Sequence, residues 1–563
     1  ILLLIVAGDW SKMKILWTVV LFVSLASSID TNSVDVVRKD IDDSWFPVNI
    51  IHINDFHARF EEITPQSNTC NPETTTCVGG YARVVTKVKE LLEVNRDNNP
   101  LYLNAGDNFQ GTLWYNIGRW NVTVQFLNML KADAMTIGNH EFDHDIEGVV
   151  PFLEQIESPV VIANVEDSQE PTFQGKYTKS VVIDKYDRKI GIIGAILRTT
   201  NNIAKTGQLA FTNEAQAVRE EAERLKAEGV DIIIVLSHCG LDRDREIANF
   251  GGPNIDLIVG GHSHSFLWSG DDLPSVDRPA DSYPVEVVQE DGHKVLIVQA
   301  SAYTKYVGDI TLYFDDEGIV QHWEGAPHFL GNDVTPDAEV MQALQPWKEI
   351  VDLSGKRVVG SLKFMASSSG CYQRECLMGT LQAESMLHSL IESDDQGWAY
   401  ATMAMTNAGG VRGPLSPGLL TYSDLVTTTP FENTVDTLEV QGRYIKEALE
   451  NAVRFNDSTS LLQTAGMKIV YNLGNAAYAR IVTLEVLCRV CDVPKFEAIE
   501  SDTWYRLAIN GFLLVNGDNY AMIRDNARNH KIGAIDIDAL TKYVEDNSPI
   551  NLITPRGRMT IIQ

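Results

Sequence analysis

Five apolar runs in the first half of this chain each end in a short cluster of carboxylate, amide or imidazole side chains. Val48-Asn49-Ile50-Ile51-His52-Ile53 leads into Asn54-Asp55-Phe56-His57. Leu101-Tyr102-Leu103-Asn104-Ala105 leads into Gly106-Asp107-Asn108-Phe109-Gln110-Gly111, and Ala134–Ile137 into Gly138-Asn139-His140-Glu141-Phe142-Asp143. Asp231–Ser237 is followed by His238-Cys239-Gly240, and Asp256–Gly260 by Gly261-His262-Ser263-His264. Such runs read as buried strands, and Val160–Asn164 and Lys189–Gly194 continue the pattern. Helical spacing over Tyr81–Val94 and the charged amphipathic stretch Glu214–Glu228 alternates with them. Strand–helix alternation predicts an α/β layered domain. The functional groups of such a domain gather at the carboxyl ends of its strands. Glycines beside the clusters let the backbone turn sharply there.

The residue types in these clusters point to one chemistry. Hydrolysis of a phosphate ester or anhydride at neutral pH needs an activated nucleophile and cations on the phosphoryl oxygens, and two metal ions supply both. A carboxylate can bridge the two ions, and Asp107 is the candidate. Mixed nitrogen and oxygen ligation favours zinc, manganese or iron over an all-oxygen calcium cage. His52 and His144 lie near the clusters without matching a ligand position and are read as structural.

The strings Asp55-x-His57, Gly106-Asp107, Gly138-Asn139-His140-Glu141 and Gly261-His262-Ser263-His264 resemble the calcineurin-like metallophosphoesterases. The longer strings, Gly106 to Thr112 and Gly138 to Asp143, resemble the 5′-nucleotidase/apyrase branch. The resemblance implies a four-layer domain of two sheets flanked by helices, joined by a helix to an α+β nucleotide-binding domain. It implies that Asp55, His57, Asp107 and His264 hold one divalent ion, and that Asp107, Asn139, His238 and His262 hold the other. The expected ions are zinc, with manganese, magnesium or calcium as alternatives. His140 resembles the family's catalytic histidine, with Asp143 orienting it.

With 563 residues the chain is too long for one core. Thr335 to Leu353 reads as a helix between compositionally distinct halves, with Thr335-Pro336-Asp337 at its start. The expected division is 45–334 for the metallophosphoesterase domain, 335–354 for the connection and 355–555 for the second domain. The resemblance continues there. Asn407-Ala408-Gly409-Gly410-Val411-Arg412 is similar to the family's Asn-Gly-Gly-x-Arg loop. Thr429-Pro430-Phe431 and Gly511-Phe512 through Asp518 are similar to the segments whose aromatics sandwich the base. Arg412 can grip phosphate oxygens through paired hydrogen bonds with Asn407 alongside, Phe431 and Phe512 can stack a purine, and Asp518 can accept from ribose hydroxyls. Two positions depart from the family pattern: Tyr372 stands where an arginine is usual, and Thr380 follows Gly379 where asparagine is usual. Tyr372 removes a phosphate-facing cation unless Arg374 replaces it, which bears on the preference between mono- and diphosphates.

The chain has 46 Lys and Arg against 76 Asp and Glu, and a formal charge of −30. That balance argues against nucleic acid as a partner and against adhesion to anionic membranes. Small anions remain accessible where metal ions reverse the local field. Met13-Lys14 followed by the apolar Ile15–Leu25 and small Ala26-Ser27-Ser28 reads as a signal peptide over 13–28. Residues 1–12 precede that methionine and are expected not to be translated; the rival, a longer N-terminal anchor, is weakened by Gly8–Lys12. The last residues lack the apolar tail of a lipid anchor, so the expectation is a soluble extracellular protein without a stable membrane anchor. Seven cysteines allow three local pairs, Cys70 with Cys77, Cys371 with Cys376 and Cys488 with Cys491, as in an oxidising compartment. Cys488-Arg489-Val490-Cys491 has zinc-knuckle spacing, but no second ligand pair follows, so a disulfide loop is expected. Cys239 is left over; a metal role beside His238 competes with a buried free thiol, the simpler reading. Asn121-Val122-Thr123 and Asn456-Asp457-Ser458 are glycosylation sequons.

Three functions follow. The leading expectation is hydrolysis of extracellular ATP and ADP to AMP, as in the salivary apyrases of blood-feeding arthropods, where removal of ADP restrains platelet aggregation. The close alternative is a 5′-nucleotidase that converts AMP to adenosine. The third, from a different class, is a platelet inhibitor that binds a host receptor with weak or no catalysis.

Overall fold

Strand Phe46–Ile53 alternates strictly between two environments. Val48 and Ile50 pack toward a second sheet, whereas Ile51 and Ile53 face helices. Both faces are therefore buried, which is why the run reads as continuously apolar. The computed structural model describes residues 41–562, apart from 68, 74, 185, 391–396, 398, 456–459, 515–516 and 552–556. The expected signal peptide and the Asn456 sequon lie outside the described residues.

Phe46–Ile53 pairs in parallel with Leu101–Asn104, which pairs in parallel with Ala134–Met135. On its other side it pairs antiparallel with Tyr306–Phe314. The second sheet runs in the order Val285–Val288, Lys294–Val298, Leu257–Val259, Ile232–His238, Ile190–Ile196, Ser180–Ile183. Its four inner strands are parallel. Val48, Ile50, Leu101 and Leu103 meet Ile192, Ile234 and Val235 in one cluster between the sheets. Helices Tyr81–Val94, Leu113–Leu127 and Asp145–Gln155 cover the outer face of the first sheet; Glu214–Ala227 and Leu241–Phe250 cover the second. This is the expected arrangement of two sheets flanked by helices.

One expected strand differs. Val160 and Val161 make only isolated bridges, to Met135 and Thr178. The segment's backbone bonds are divided among three partners, Val161 N to Met135 O at 2.9 Å, Ile162 N to Thr178 O at 2.7 Å and Ala163 N to Gly194 O at 2.8 Å, and it packs so closely on Gly194 that an added Cβ there would lie 1.8 Å from the Val161 carbonyl oxygen. The Asn164 side chain then spans the gap, donating to Ile196 O at 2.7 Å and accepting from Ile196 N at 3.0 Å.

The linking helix runs Ala338–Gly355. Asp337 caps it, its carboxylate accepting from the amides of Glu339 and Val340. Val340, Leu344 and Val351 belong to a cluster that also holds Phe126 from the first domain and Val359, Leu425 and Leu540 from the second. The helix is thus part of a shared apolar seam. The second domain is α+β. A five-stranded sheet runs Leu462–Ala465, Met403–Asn407, Trp504–Asn510, Val435–Gln441, Arg528–Lys531, and a four-stranded sheet centres on Met467–Asn472 and Ile481–Leu487. The disulfides are Cys70–Cys77, Cys371–Cys376 and Cys488–Cys491, and Cys239 is a buried free thiol. No helix among the described residues is long and apolar enough to cross a membrane.

Candidate metal centre and nucleotide site

The strand-end loops lock together through their backbones before any side chain is considered. Asp55 N donates to Gly106 O at 3.0 Å, and His57 N to Asp107 O at 3.0 Å. Asp55, His57, Asp107, His262 and His264 all have positive φ, between 50° and 73°. Non-glycine residues rarely adopt this region, and each such residue costs about 1–3 kcal/mol. The surrounding hydrogen bonds hold five predicted ligands in that conformation, which aims their side chains at one place. Gly138 and Gly261 leave the room: a Cβ on Gly138 would lie 2.1 Å from Asp107 Oδ1, and one on Gly261 would lie 2.9 Å from His238 Nδ1.

Two donor clusters result. Asp55, His57 and His264 offer atoms within 4.8 Å of one another, as do Asp107, His238 and His262. His57 Nε2 is 3.1 Å from His264 Nε2 and 3.7 Å from Asp107 Oδ2. His264 Nε2 is 3.2 Å from Asp55 Oδ1, and His238 Nε2 is 3.0 Å from Asp107 Oδ2. His262 Nδ1 is 2.8 Å from Asn139 Oδ1. All seven predicted ligands converge, and Cys239 belongs to neither cluster.

The donor set fits divalent cations on its own chemistry. His57 Nδ1 lies 3.2 Å from Phe109 O, and His238 Nδ1 lies 2.7 Å from Ala105 O. Those carbonyls accept from Nδ1–H and so direct the Nε2 lone pairs inward, the orientation a metal-ligating imidazole requires. His238 Nε2 is buried without a hydrogen-bond partner despite its nearness to Asp107, an orphaned donor atom aimed into the cluster. Burial holds the His57 imidazole well below its ordinary value, and burial with the nearby His238 lowers His262 to about 4. Burial also opposes charge on His238, but Asp107 outweighs it and draws that imidazole up to about 10. The buried carboxylate thus demands positive charge from groups that are mostly held neutral.

His140 joins His57 and Asp107 in a third, overlapping group whose donor atoms also lie within 4.8 Å of one another. Its amide donates to Asp107 Oδ1 at 2.9 Å, and its Nδ1 is 2.8 Å from Asp143 Oδ2. Burial lowers its pKa, but the charges of Asp143 and Asp107 and the Asp143 hydrogen bond outweigh burial and raise it.

From the second domain, Arg412 Nη2 comes within 3.4 Å of His57 Nε2. The Phe431 ring stacks on His140, with centroids 5.4 Å apart and planes 12° apart, and the Arg412 guanidinium lies 5.5 Å from the Phe431 ring centre. Asn407, Asp518 and Phe512 form a separate group. Asn407 Nδ2 donates to Asp518 Oδ2 at 3.0 Å, while Asn407 Oδ1 is buried without a partner. Burial raises the Asp518 pKa against the Asn407 hydrogen bond. Phe512 packs over Gly517, whereas the ring partner of Phe431 is His140. Tyr372 places its hydroxyl against Gly409, Arg374 folds back over Gly370, and Thr380 is buried with Oγ1 3.4 Å from Glu375.

Three further residues shape the site without a role assigned from their sequence context. Glu141 is fully buried and accepts from the amides of Asn108 and Gly138 at 2.6 Å each, and from Asp107 at 3.2 Å. Tyr303 packs its ring 5.5 Å from His57 and 5.1 Å from His264. Arg59 lies 4.7 Å over Tyr303 and donates to Gly111 O at 2.6 Å. The sequence signal for Glu141 is its place in the Gly138-Asn139-His140-Glu141 string, which carries the family resemblance but assigns it no role. Tyr303 and Arg59 carry no such signal, because long-range packing brings them in.

Known proteins share this arrangement. A family described as calcineurin-like phosphoesterase matches residues 48–266, and one described as the 5′-nucleotidase C-terminal domain matches 358–525. An apyrase of Tabanus yao is 47% identical over 92% of this chain and 94% of its own length. A 5′-nucleotidase of Rattus norvegicus is 34% identical over 89% of this chain and 88% of its own. The crystal structure of a 5′-nucleotidase precursor from Thermus thermophilus superposes with a TM-score of 0.82 at 28% identity, covering 92% of this chain and 100% of that one. Converging donors, fold and extended similarity agree: the chain belongs to the 5′-nucleotidase family of calcineurin-like phosphoesterases and is a metal-dependent nucleotide phosphohydrolase.

Proposed function

We propose that this protein is a secreted apyrase that hydrolyses extracellular ATP and ADP to AMP. The observation that carries the reading is the approach of Arg412 Nη2 to His57 Nε2 at 3.4 Å. A phosphate-gripping cation from one domain thereby meets the metal-donor cluster of the other. Asp55, His57, Asp107 and His264 would hold one divalent ion, and Asp107, Asn139, His238 and His262 would hold the second. When bound, the two ions supply Lewis-acid charge for the phosphoryl oxygens and lower the pKa of a water. Zinc suits the mixed imidazole and carboxylate donors, with manganese, magnesium or calcium as alternatives.

His140 has its Nδ1 tied to Asp143, which leaves Nε2 to face substrate. Its raised pKa favours the imidazolium, which stabilises charge growing on the phosphoryl oxygens or protonates the leaving oxygen. Arg412 grips phosphate oxygens with Asn407 beside it. Phe431 and Phe512 stack the purine, each such contact being worth about 1–3 kcal/mol per base, and Asp518 accepts from the ribose. Phe431 covers His140, so its ring leaves the imidazole when a base enters. The working division is 45–334, 335–354 and 355–555. Three disulfides among the described residues suit secretion, and removal of ADP would withhold a platelet activator.

One observation favours the second reading, hydrolysis of AMP to adenosine. Tyr372 puts a neutral hydroxyl against Gly409 of the Arg412 loop where a cation would serve a longer phosphate chain. Phosphate release with ATP, ADP or AMP as sole substrate separates the two. The expected result is release from ATP and ADP that stops at AMP and disappears in excess chelator. Cleavage of AMP but not ADP overturns the apyrase reading.

A further inference from the structure

The five-stranded sheet of the second domain presents its substrate residues at one end only. Strands Met403–Asn407 and Trp504–Asn510 run in parallel and finish at Asn407 and just before Phe512. Their opposite ends border a cavity of about 220 Å³ lined by Tyr400, Thr437, Glu439, Arg506, His530 and Lys531. Cross-strand register gathers its charges. Arg506 and Arg528 both stand opposite Glu439, and Lys531 stands opposite Thr437. Glu439 meets Arg528 at 3.0 Å and Arg506 at 3.6 Å, and Asp436 meets His530 at 2.7 Å. Lys531 pairs with no carboxylate among the described residues. Its ammonium lies 5.1 Å from the centre of the Tyr400 ring, and the Arg506 guanidinium lies 4.3 Å from the same ring. Burial pushes the Tyr400 hydroxyl up, yet hydrogen bonds with Lys531 and Thr437 and the charge of Arg506 bring it below its ordinary value. The lining thus carries two cations, Arg506 and Lys531, against the single carboxylate of Glu439, on a chain of net charge −30.

We propose that this cavity is an anion site that takes a phosphate or sulfate group, either free or as an ester on a larger polyanion. The Arg506 guanidinium, held in place by Nη1 donating to Tyr400 O at 3.2 Å, contributes fixed positive charge, and Lys531 adds a mobile point charge at the mouth. The Tyr400 hydroxyl supplies a neutral donor, while the Asn529 amide donates to Glu439 Oε2 at 2.9 Å and so helps to hold that carboxylate. A polar pocket of this volume holds several waters, which an oxyanion displaces while keeping their hydrogen bonds. The site needs none of the metal donors, since it lies at the far end of the sheet.

Titration calorimetry with inorganic sulfate, inorganic phosphate and a sulfated oligosaccharide tests the site in the full-length protein. The comparison is with Lys531→Gln and Arg506→Gln, both checked for nucleotide hydrolysis as evidence of folding. Lys531 is exposed, so its replacement spares the core even where Arg506→Gln does not. The expected result is oxyanion binding by the parent that weakens at least about tenfold in Lys531→Gln, the loss of one charge-assisted contact, with hydrolysis unchanged. Binding at the catalytic centre is common to parent and variant and cancels in the comparison. Tighter binding of the oligosaccharide identifies an ester as the ligand; equal or weaker binding identifies the free ion. Identical binding by parent and Lys531→Gln, or no binding of any of the three probes by the parent, overturns the proposal.

Discussion

A buried carboxylate is costly unless hydrogen bonds replace its hydration. Glu141 meets that demand with the backbone amides of two strand-end loops, Gly138 on one and Asp107 and Asn108 on the other. Burial raises its pKa first, and the charge of Asp107 adds to the rise, while the amides of Gly138 and Asn108 oppose both. Glu141 is therefore a positioning residue: it ties the loop of Asp107, proposed above as the shared ligand, to the loop of Asn139 and His140. Glu141→Ala leaves those amides buried and unpaired. It is expected to cost about 3–5 kcal/mol in urea unfolding and to lower bound metal. Glu141→Gln keeps one acceptor oxygen and is expected to lose less of both. Equal stability and metal content in the alanine variant would assign Glu141 no positioning role.

At the level of elements, periodicity reveals strands, but the turns after them decide the chemistry. Gly138 stands where Asp107 and His238 approach the backbone; its Cβ would fall 2.5 Å from His238 Nε2 as well as against Asp107. Gly138→Ala is thus expected to leave the sheets folded and displace the two side chains. Metal analysis should show at least one ion lost, with far-ultraviolet circular dichroism unchanged. The strands and helices of the first domain were legible because their apolar runs are buried on both faces or spaced for a helix. Val160–Asn164 was not, because its apolar residues are buried against Gly194 without forming a ladder. Composition cannot distinguish the two kinds of burial.

Across the whole molecule, the segment that carries Phe431 is held between domains. Asn116 Nδ2 donates to Pro430 O at 3.1 Å, and Arg119 Nη2 to Glu432 Oε2 at 2.8 Å. His144 stands beside Arg119, whose Nη1 donates to its Nε2, with its Nδ1 3.1 Å from Tyr115 OH and its Nε2 3.8 Å from Glu432. The nearby His144, together with the Arg119 hydrogen bond, brings the Glu432 carboxyl down to about 2. Arg119 and Glu432 are each about one-third exposed, so solvent limits the pair to ~1 kcal/mol. Glu432→Ala is expected to speed amide hydrogen exchange across residues 428–434 about fivefold and to leave exchange in the first sheet unchanged. Unchanged exchange in that segment would show that the ion pair does not restrain Phe431. His144, read from sequence as structural, owes its place to this contact.

The α/β character of the first domain and the clustering of carboxylate, amide and imidazole groups at its strand ends were legible in the chain alone, since apolar runs mark where strands stop; the ligand sets proposed for the two ions came from the family resemblance. Also legible were the cysteine pairs, which lie three to seven residues apart and join within their own loops. Which domain supplies what to the site emerged from the folded molecule. Arg412 lies 355 positions from His57 in the chain, and Glu432 lies 313 from Arg119. No local pattern encodes such contacts; they arise because the helix Ala338–Gly355 and its apolar seam fix one domain against the other.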